Sequence, residues 1–312
     1  MSLFRKSKDE EGAPEWADFF TKEEYEYFIG LVTDYFAQYD VEFEIEDGVA
    51  LLQTPHRGYD NFGLINLGQT CKQSPREEWE SNIADFFRSM ERTHELEQEL
   101  ESKLSDFEFV RPFIALRIYN AAFMDSIGQE NFLFRPLTEQ IVTMLVFDLP
   151  DSIKNISPDT VESWGKTLDE LFILAYENCK ESYPFIVEKE TFGESDFWLS
   201  HGDHFFAPNI VLSLNDENKH LVGTHGALVG LPHRHIALIY PIEDITVMQA
   251  INTLIPVIYG MYEEGPGSIS NELYWYKDGQ LHNLPYELTE EELNFAPPDD
   301  FFDLLNSLEE SK

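Results

Sequence analysis

The chain has 312 residues, of which 43% are hydrophobic and 14% aromatic, enough apolar side chains for one large domain or two smaller ones. Its 59 Asp and Glu residues against 21 Lys and Arg give a formal net charge of -38, which disfavours binding to nucleic acids and to anionic membrane surfaces. The two cysteines, Cys71 and Cys179, form no CxxC pair, which argues against a disulfide framework and a cysteine zinc site.

The start of the chain and its longest apolar stretch both favour a cytoplasmic protein. Residues 1–15 mix basic and acidic side chains without an apolar core, so we expect a mobile charged leader and no signal peptide. Residues 250–262 form the longest apolar stretch, which is too short to span a bilayer and contains Asn252 and Pro256. We therefore expect no membrane association.

Residues 16–106 are expected to form an N-terminal α+β lobe. Apolar residues three and four positions apart predict a helix over residues 22–39. The run Ser74-Pro75-Arg76-Glu77 is typical of a capping box and predicts a second helix. Alternating apolar and polar residues, with Asp47-Gly48 as a turn, predict strands at residues 41–45, 49–52 and 63–67.

Residues 107–286 are expected to form a C-terminal α+β lobe. One helix should begin at Ser157-Pro158 and bury Trp164, and another should begin at Asp244 or Thr246 and bend near Pro256. Apolar runs predict a long extended stretch at residues 108–123 and strands at residues 140–147, 185–188, 210–214, 273–276 and 281–284. The strongest late strand is predicted at residues 236–240, within the segment 228–240.

The last segment, residues 287–312, is predicted to be an acidic tail interrupted by Pro297-Pro298. Its apolar residues predict a short docking helix and are Phe301, Phe302, Leu304, Leu305 and Leu308.

The predicted fold class is α+β, with mixed, mainly antiparallel sheets and three long helices packed on their faces. A similar order of turn, Ser-Pro cap and helix occurs in residues 66–79 and 148–164. Two interpretations stay open: two related lobes that arose by duplication, or independent convergence on common capping residues.

Two segments of the chain carry a family resemblance. The first runs from Val110-Arg111-Pro112-Phe113-Ile114 to the Ser157 helix, and the second from Leu228-Val229-Gly230-Leu231-Pro232-His233 to the hairpin at residues 274–284. By the order of their elements they resemble the YtpQ-like family of uncharacterised bacterial cytoplasmic proteins. Residues 130–139, residues 201–204 and the acidic tail depart from the family pattern. The resemblance implies a fold and a cytoplasmic location but no reaction, because the family has no established activity.

Histidines are concentrated in residues 201–235 and give the main candidate for a metal site. If His233 and His235 lie on one strand, they point to the same face and Arg234 points to the other. An additional ligand would come from the segment His201-Gly202-Asp203-His204 or from His225. Imidazole and carboxylate ligands suit zinc, iron or manganese. The competing interpretation is a set of ordinary titrating loop histidines, since no HExxH motif is present.

No nucleophile or phosphate-binding motif occurs in the sequence. There is no GxSxG motif or P-loop, and Cys179 is expected near the C-terminal end of a helix, where the dipole does not lower a thiol pKa. Four aromatic residues surround the histidine-bearing loop and either fill the core or form a recognition surface: Phe197, Trp198, Phe205 and Phe206.

The sequence therefore favours a non-enzymatic protein-interaction or regulatory module that uses its acidic surface to bind a basic protein partner. The alternative is a metal-assisted hydrolase or metal-binding protein that uses residues 201–235. No catalytic residue, cofactor or oligomeric state is predicted.

Overall fold

The computed structural model describes residues 12–56, 58–125, 128–150, 152–289 and 292–310. It divides the chain into two compact units: a smaller one, Met1–Ser102 with Leu149–Ser152, and a larger one, Lys103–Asp148 with Ile153–Lys312. Helices and antiparallel sheets occur in both units, so the predicted α+β fold class is confirmed. Most of the leader predicted at residues 1–15 lies outside the described residues.

The smaller unit packs three helices on a three-stranded antiparallel sheet of order β1-β2-β3. Its elements are α1 (Lys22–Ala37), β1 (Phe43–Glu46), β2 (Val49–His56), β3 (Tyr59–Gly63), α2 (Ile65–Gln73) and α3 (Trp79–Ser102). A capping box starts α1, because Thr21 Oγ1 accepts from Glu24 N and Glu24 Oε2 accepts from Thr21 N. Phe28, Phe36 and Phe87 lie in the buried aromatic core of this unit.

Two predictions for the smaller unit are wrong, because α2 occupies residues 65–73 and ends at Ser74. Residues 65–67 belong to α2 rather than to a strand, because Leu67, Gly68 and Cys71 recur at helical spacing and face the core. Ser74 then ends α2, and its hydroxyl donates to Thr70 O at 2.9 Å. It therefore does not cap the following helix, and the predicted capping box at residues 74–77 is absent.

The described residues of the larger unit form three antiparallel sheets. One contains four strands, with order β4-β6-β5 and β7 paired to β6; a second has six, in the order β13-β12-β10-β11-β9-β8; β14 and β15 form the third. The strands are β4 (Ile114–Asn120), β5 (Phe134–Pro136), β6 (Ile141–Asp148), β7 (Ile153–Asn155), β8 (Ile186–Phe192), β9 (Ser195–His201), β10 (Ala227–His233), β11 (Ile236–Pro241), β12 (Leu273–Lys277), β13 (Gln280–Leu284), β14 (Tyr286–Leu288) and β15 (Leu293–Phe295).

The helices of the larger unit cover these sheets. They are α4 (Phe107–Val110), α5 (Ala122–Asp125), α6 (Pro158–Glu162), α7 (Leu168–Ser182), α8 (Val247–Glu264) and α9 (Asp299–Glu310). α7 packs on β4, while α8 packs on β10 through a buried stripe that includes Ala250, Leu254 and Ile258. Four described helices have fifteen or more residues, α1, α3, α7 and α8, so the predicted number of three long helices is not confirmed. None of the described helices has the length and apolar composition needed to cross a bilayer.

Three predicted elements of the larger unit differ from the structure. The helix that begins at Ser157 ends at Glu162, because Gly165 adopts a φ of +62° and a new capping box at Thr167 starts α7. Residues 207–213 form a 3₁₀ helix instead of a strand. The extended stretch predicted for residues 108–123 is limited to β4.

The segment predicted to be an acidic tail contains β14, β15 and α9 among its described residues. α9 matches the predicted docking helix, and its Phe301, Leu305 and Leu308 are buried in the same core as α8. The two similar stretches of sequence do not form similar structures. Residues 66–72 lie in α2, whereas residues 148 and 153–154 lie in strands β6 and β7.

Candidate functional site

The five predicted metal ligands occupy separate local environments. His201 ends β9, and its Nε2 lies 3.3 Å from Glu188 Oε2 on the neighbouring strand. Asp203 is exposed in the following loop. His204 uses both ring nitrogens: Nδ1 accepts from Phe206 N at 3.2 Å, and Nε2 lies 3.3 Å from Pro184 O.

His233 and His235 do not lie on one strand as a pair of metal ligands. β10 ends at His233, and Arg234 and His235 form the turn before β11. His233 Nδ1 accepts from His235 N at 3.3 Å, and Arg234 Nε donates to His235 Nε2 at 3.3 Å. The expectation that Arg234 points away from both rings is therefore wrong, because the tight turn breaks the strand alternation on which it rests.

Burial and neighbouring positive charge both lower the pKa of these histidines. Burial lowers the pKa of His233 to about 4, with further contributions from His235 and Arg234. Burial also lowers the pKa of His235 to about 4, with contributions from Arg234 and Arg117. Both rings are thus neutral at pH 7. Across the described ranges, no three His, Cys, Asp or Glu residues are grouped so that they could hold a metal ion.

The same region brings two arginines onto one aromatic ring. Arg234 Cζ lies 4.1 Å and Arg117 Cζ 5.3 Å from the centroid of the Phe205 ring. The His235 ring meets Phe205 edge-on, with 5.1 Å between the centroids. Tyr119 lies two residues from Arg117 on β4, and its ring centroid is 5.1 Å from Arg117 Cζ. We call Arg117, Tyr119, Phe205, Arg234 and His235 the arginine cluster.

Local backbone structure fixes both arginines. Arg117 lies in the middle of β4, opposite Met144 of β6. Arg234 N donates to Gly267 O at 3.1 Å. Gly267 has a φ of +71°, and a Cβ there would lie 2.6 Å from Arg234 Cδ, so the close approach requires glycine.

Neither cluster arginine forms an ion pair with a carboxylate within the described part of the chain. Arg117 is only 8% exposed, and its Nε is buried without a hydrogen-bond partner. Asp148 is the acid that interacts with Arg117, but it accepts from the Tyr183 hydroxyl and burial raises its pKa. Four other arginines do form ion pairs with acids: Arg76, Arg88, Arg111 and Arg135.

The environment also affects the ionisation of Arg234. The pKa of Arg234 is lowered to about 10, first by burial and then by Arg117. Arg234 nevertheless stays charged at pH 7. Phe205 is 36% exposed and Arg234 is half-buried, so the cluster is open to solvent on their side.

The arrangement favours binding over covalent chemistry. Guanidinium groups offer a planar set of donors that matches carboxylate and phosphate oxygens. Cys179 lies near the same strand, but it is buried, it exchanges hydrogen bonds with the backbone of Leu116, and burial raises its pKa to about 12. Such a thiol is a poor nucleophile.

Arg117 and Arg234 were not predicted to be functional residues, although two signals in the sequence mark them. Arg117 interrupts the apolar run of residues 114–119, and a charge within a buried strand is costly unless it has a purpose. Arg234 stands between two histidines that were themselves singled out. The two interpretations of the nearby aromatics apply to different residues. Phe197 and Phe206 are buried in the core, whereas Phe205 is exposed beside the arginines.

Comparison with known proteins adds no relative. No family model matches the chain, and no match was found among curated proteins or solved structures. The resemblance to the YtpQ-like family stays a prediction.

Proposed function

We propose that this protein binds a small anionic ligand, with a carboxylate or phosphate group, at the arginine cluster. The observation that carries the proposal is the buried Nε of Arg117, which has no hydrogen-bond partner and belongs to a guanidinium that contacts the same Phe205 ring as Arg234. A buried polar group without a partner is costly, and an anion would supply both an acceptor and a negative charge.

Two observations support the inference that both charges act on one ligand. Both guanidinium groups contact the Phe205 ring, and Arg117 contributes to the lowered pKa of Arg234. Acids outnumber Lys and Arg by 59 to 21 in this chain, so acidic side chains are plentiful, yet none forms an ion pair with either arginine among the described residues. The lack of an ion-pairing acid at these two arginines is therefore a property of this site rather than of composition.

His235 acts on the ligand indirectly, through Arg234. Its Nε2 accepts from Arg234 Nε, so in the neutral ring the proton resides on Nδ1. A hydrogen bond to the backbone of His204 is consistent with this tautomer. The neutral ring thus holds Arg234 in place without adding charge, and the remaining donors of Arg234 are left for a ligand.

This proposal retains the hypothesis of a non-enzymatic binding protein. The ligand at this site is anionic, however, whereas the sequence suggested a basic partner. The metal-assisted alternative has no supporting group of ligands in the described residues. The arginines instead favour an oxyanion.

The test is a titration of the full chain with sodium phosphate and, separately, sodium acetate, at ionic strength held constant with sodium chloride. A ligand that binds only the folded state raises the free energy of unfolding by about 2.7 kcal/mol at one hundred times its Kd. We expect thermal stabilisation by at least one of the two anions. Arg117→Gln and Arg234→Gln should each weaken binding by about tenfold or more, since a charge-assisted hydrogen bond contributes about 1.5–3 kcal/mol.

Arg88→Gln is the matched control, because Arg88 is exposed on α3 and pairs only with Asp85 in the same helix. It removes the same charge without touching the cluster and should leave the affinity unchanged. Equal anion affinity in all three variants, or no binding of either anion, would contradict the proposal.

A further inference from the structure

The sheet of the smaller unit ends at β1, and the geometry of its hairpin determines which backbone groups face outward. Asp47 and Gly48 form the two-residue turn with φ of 45° and 80°, as in a type I′ hairpin. Glu46 and Val49 flank this turn and therefore form a hydrogen-bonded pair. Counting back along β1, Glu44 and residue 42 also bond to β2, in agreement with Gln53 N donating to Glu42 O at 2.9 Å.

It follows that the N–H and C=O groups of Phe43 and Ile45 point away from β2. β1 has β2 as its sheet neighbour and no strand on its other side in the described chain. No hydrogen bond between the described residues occupies this outer edge at Phe43 or Ile45. β1 therefore offers four free backbone groups to an added strand.

A groove of about 700 Å³ lies beside this edge. One wall is a single face of α1 formed by Ile29, Thr33 and Ala37, which are four residues apart. The other wall is β1 with the preceding loop and the neighbouring Gln53, and it includes Asp40, Val41, Glu42, Phe43, Glu44 and Ile45. A helix alongside an open strand edge is a setting in which extended peptides bind.

The two faces of β1 differ in chemistry. Phe43 and Ile45 are half-buried and pack on the core of the smaller unit. Glu42, Glu44 and Glu46 alternate with them and are exposed on the opposite face. None of these three acids forms an ion pair with another described residue.

We propose that the smaller unit binds an extended basic peptide, which adds an antiparallel strand to the outer edge of β1. The peptide backbone would bond to Phe43 and Ile45. Its apolar side chains would alternate with basic ones, the apolar set facing Ile29 and Thr33 in the groove and the basic set lying beside Glu42 and Glu44. Opposite charges on neighbouring strands stabilise a sheet. A peptide that pairs with β1 beside these glutamates should therefore be basic.

A second copy of this chain is a poorer occupant of the edge. Pairing β1 with β1 would place the glutamates of both copies on adjoining strands, and like charges there are destabilising. Charged residues on an edge strand are a common protection against self-association. The same acids that reject a second copy attract a basic peptide.

The probe is a fluorescent peptide of sequence Lys-Val-Lys-Val-Lys-Val-Lys with blocked ends, titrated with the full chain at low ionic strength and followed by anisotropy. In the antiparallel arrangement the valines lie opposite Phe43 and Ile45, so the valine N–H groups face β1 and the lysine N–H groups face solvent. N-methylation of the valines should weaken binding by about tenfold or more, because it removes donors to the free carbonyls. N-methylation of the lysines is the matched control and should preserve binding.

Protein variants locate the site independently of the peptide chemistry. Glu44→Lys should weaken binding by about tenfold or more, since it replaces attraction by repulsion. Ala37→Arg, at an exposed position at the end of α1, should do the same by filling and charging the groove. Asp60→Lys is the matched control, because Asp60 is an equally exposed acid on β3 at the other edge of the sheet.

Undiminished binding of the valine-methylated peptide would overturn strand addition. Equal losses in Glu44→Lys and Asp60→Lys would show general attraction to an acidic protein and would also overturn the proposal. These residues are separate from Arg117 and Arg234, so failure of either proposal leaves the other standing.

Discussion

The arginine cluster of the larger unit and the β1 groove of the smaller unit differ in the sign and in the burial of their charges. In the cluster, Arg117 is buried, Arg234 is half-buried, and the Nε of Arg117 lacks a partner. Along β1, the glutamates are exposed and hydrated, and the groups without partners are backbone N–H and C=O. A buried unpaired charge is costly, whereas exposed acids cost little.

This difference explains why net charge alone is a poor guide to the ligands of the molecule. The net charge of -38 suggests basic partners, and the β1 groove agrees with that expectation. The arginine cluster does not, because its field is set locally by two close guanidinium groups and a low-dielectric environment. The arginine cluster and the β1 groove are both identified as binding sites by groups that lack partners, and not by the overall charge.

The largest expected effect is the loss of stability in Trp164→Ala, a variant that also tests whether the two units lose structure independently. Trp164 is 8% exposed in the larger unit, packs near Phe107 and Phe147, and donates from Nε1 to Leu104 O at 2.7 Å. We expect Trp164→Ala to lower the free energy of unfolding by about 3–5 kcal/mol, as for other buried aromatics. Chemical denaturation measures this, and a loss below about 1 kcal/mol would mean that the indole contributes little to the core.

Each unit contains one buried cysteine that reports on local opening. In Trp164→Ala, alkylation of Cys179 in the larger unit should accelerate under native conditions, while alkylation of Cys71 in the smaller unit changes less. Equal acceleration at both thiols would show that the units open together.

The next effect contrasts a buried charge with an exposed one. Arg117→Met replaces an incompletely satisfied buried guanidinium by an apolar side chain, and we expect the ligand-free protein to gain about 1–3 kcal/mol in the free energy of unfolding. Glu44→Gln on β1 is the counterpart and should change it by less than about 0.5 kcal/mol, because the side chain is exposed. A destabilised Arg117→Met would indicate that the guanidinium already has adequate partners.

The sequence was most informative where local chemistry decides the structure. The hairpin β1–β2 was predicted from Asp47-Gly48, and the strands of the hairpin β12–β13 were predicted at residues 273–276 and 281–284. The turn residues of both hairpins, Asp47-Gly48 and Asp278-Gly279, have positive φ. The helix α1 followed from its apolar spacing. The break at Gly165 was missed, because glycine inside an amphipathic pattern does not by itself distinguish one helix from two.

The candidate site was not predictable in the same way. Arg117 comes from β4, Phe205 from the loop after β9, and Arg234 from the tip of the β10–β11 hairpin. Each is ordinary within its own segment, and only tertiary packing brings them onto one ring. The histidines are close in sequence, but no three potential metal ligands among the described residues are grouped so that they could hold an ion.

A smaller expected effect is the dependence of folding stability on pH, which again distinguishes the region of the arginine cluster from the exposed β1 groove. The pKa values of His233 and His235 are about 4 in the folded chain and 6.5 ordinarily, so between these values the unfolded chain binds more protons. Their contribution therefore makes the protein less stable as the pH falls from about 6.5 to about 4. We expect His233→Gln with His235→Gln to reduce the slope of stability against pH in this window, measured by denaturation at each pH. An unchanged slope would show that these rings titrate normally.

The most direct test of the central claim follows the Nε–H of Arg117 itself by ¹H–¹⁵N NMR, with its resonance assigned by its loss in Arg117→Lys. Titration with phosphate at constant ionic strength should shift this resonance progressively to saturation, because the anion supplies the acceptor that the protein does not. A resonance that stays in place while phosphate raises the melting temperature would show that the anion binds elsewhere and would contradict the assignment of the arginine cluster as its site.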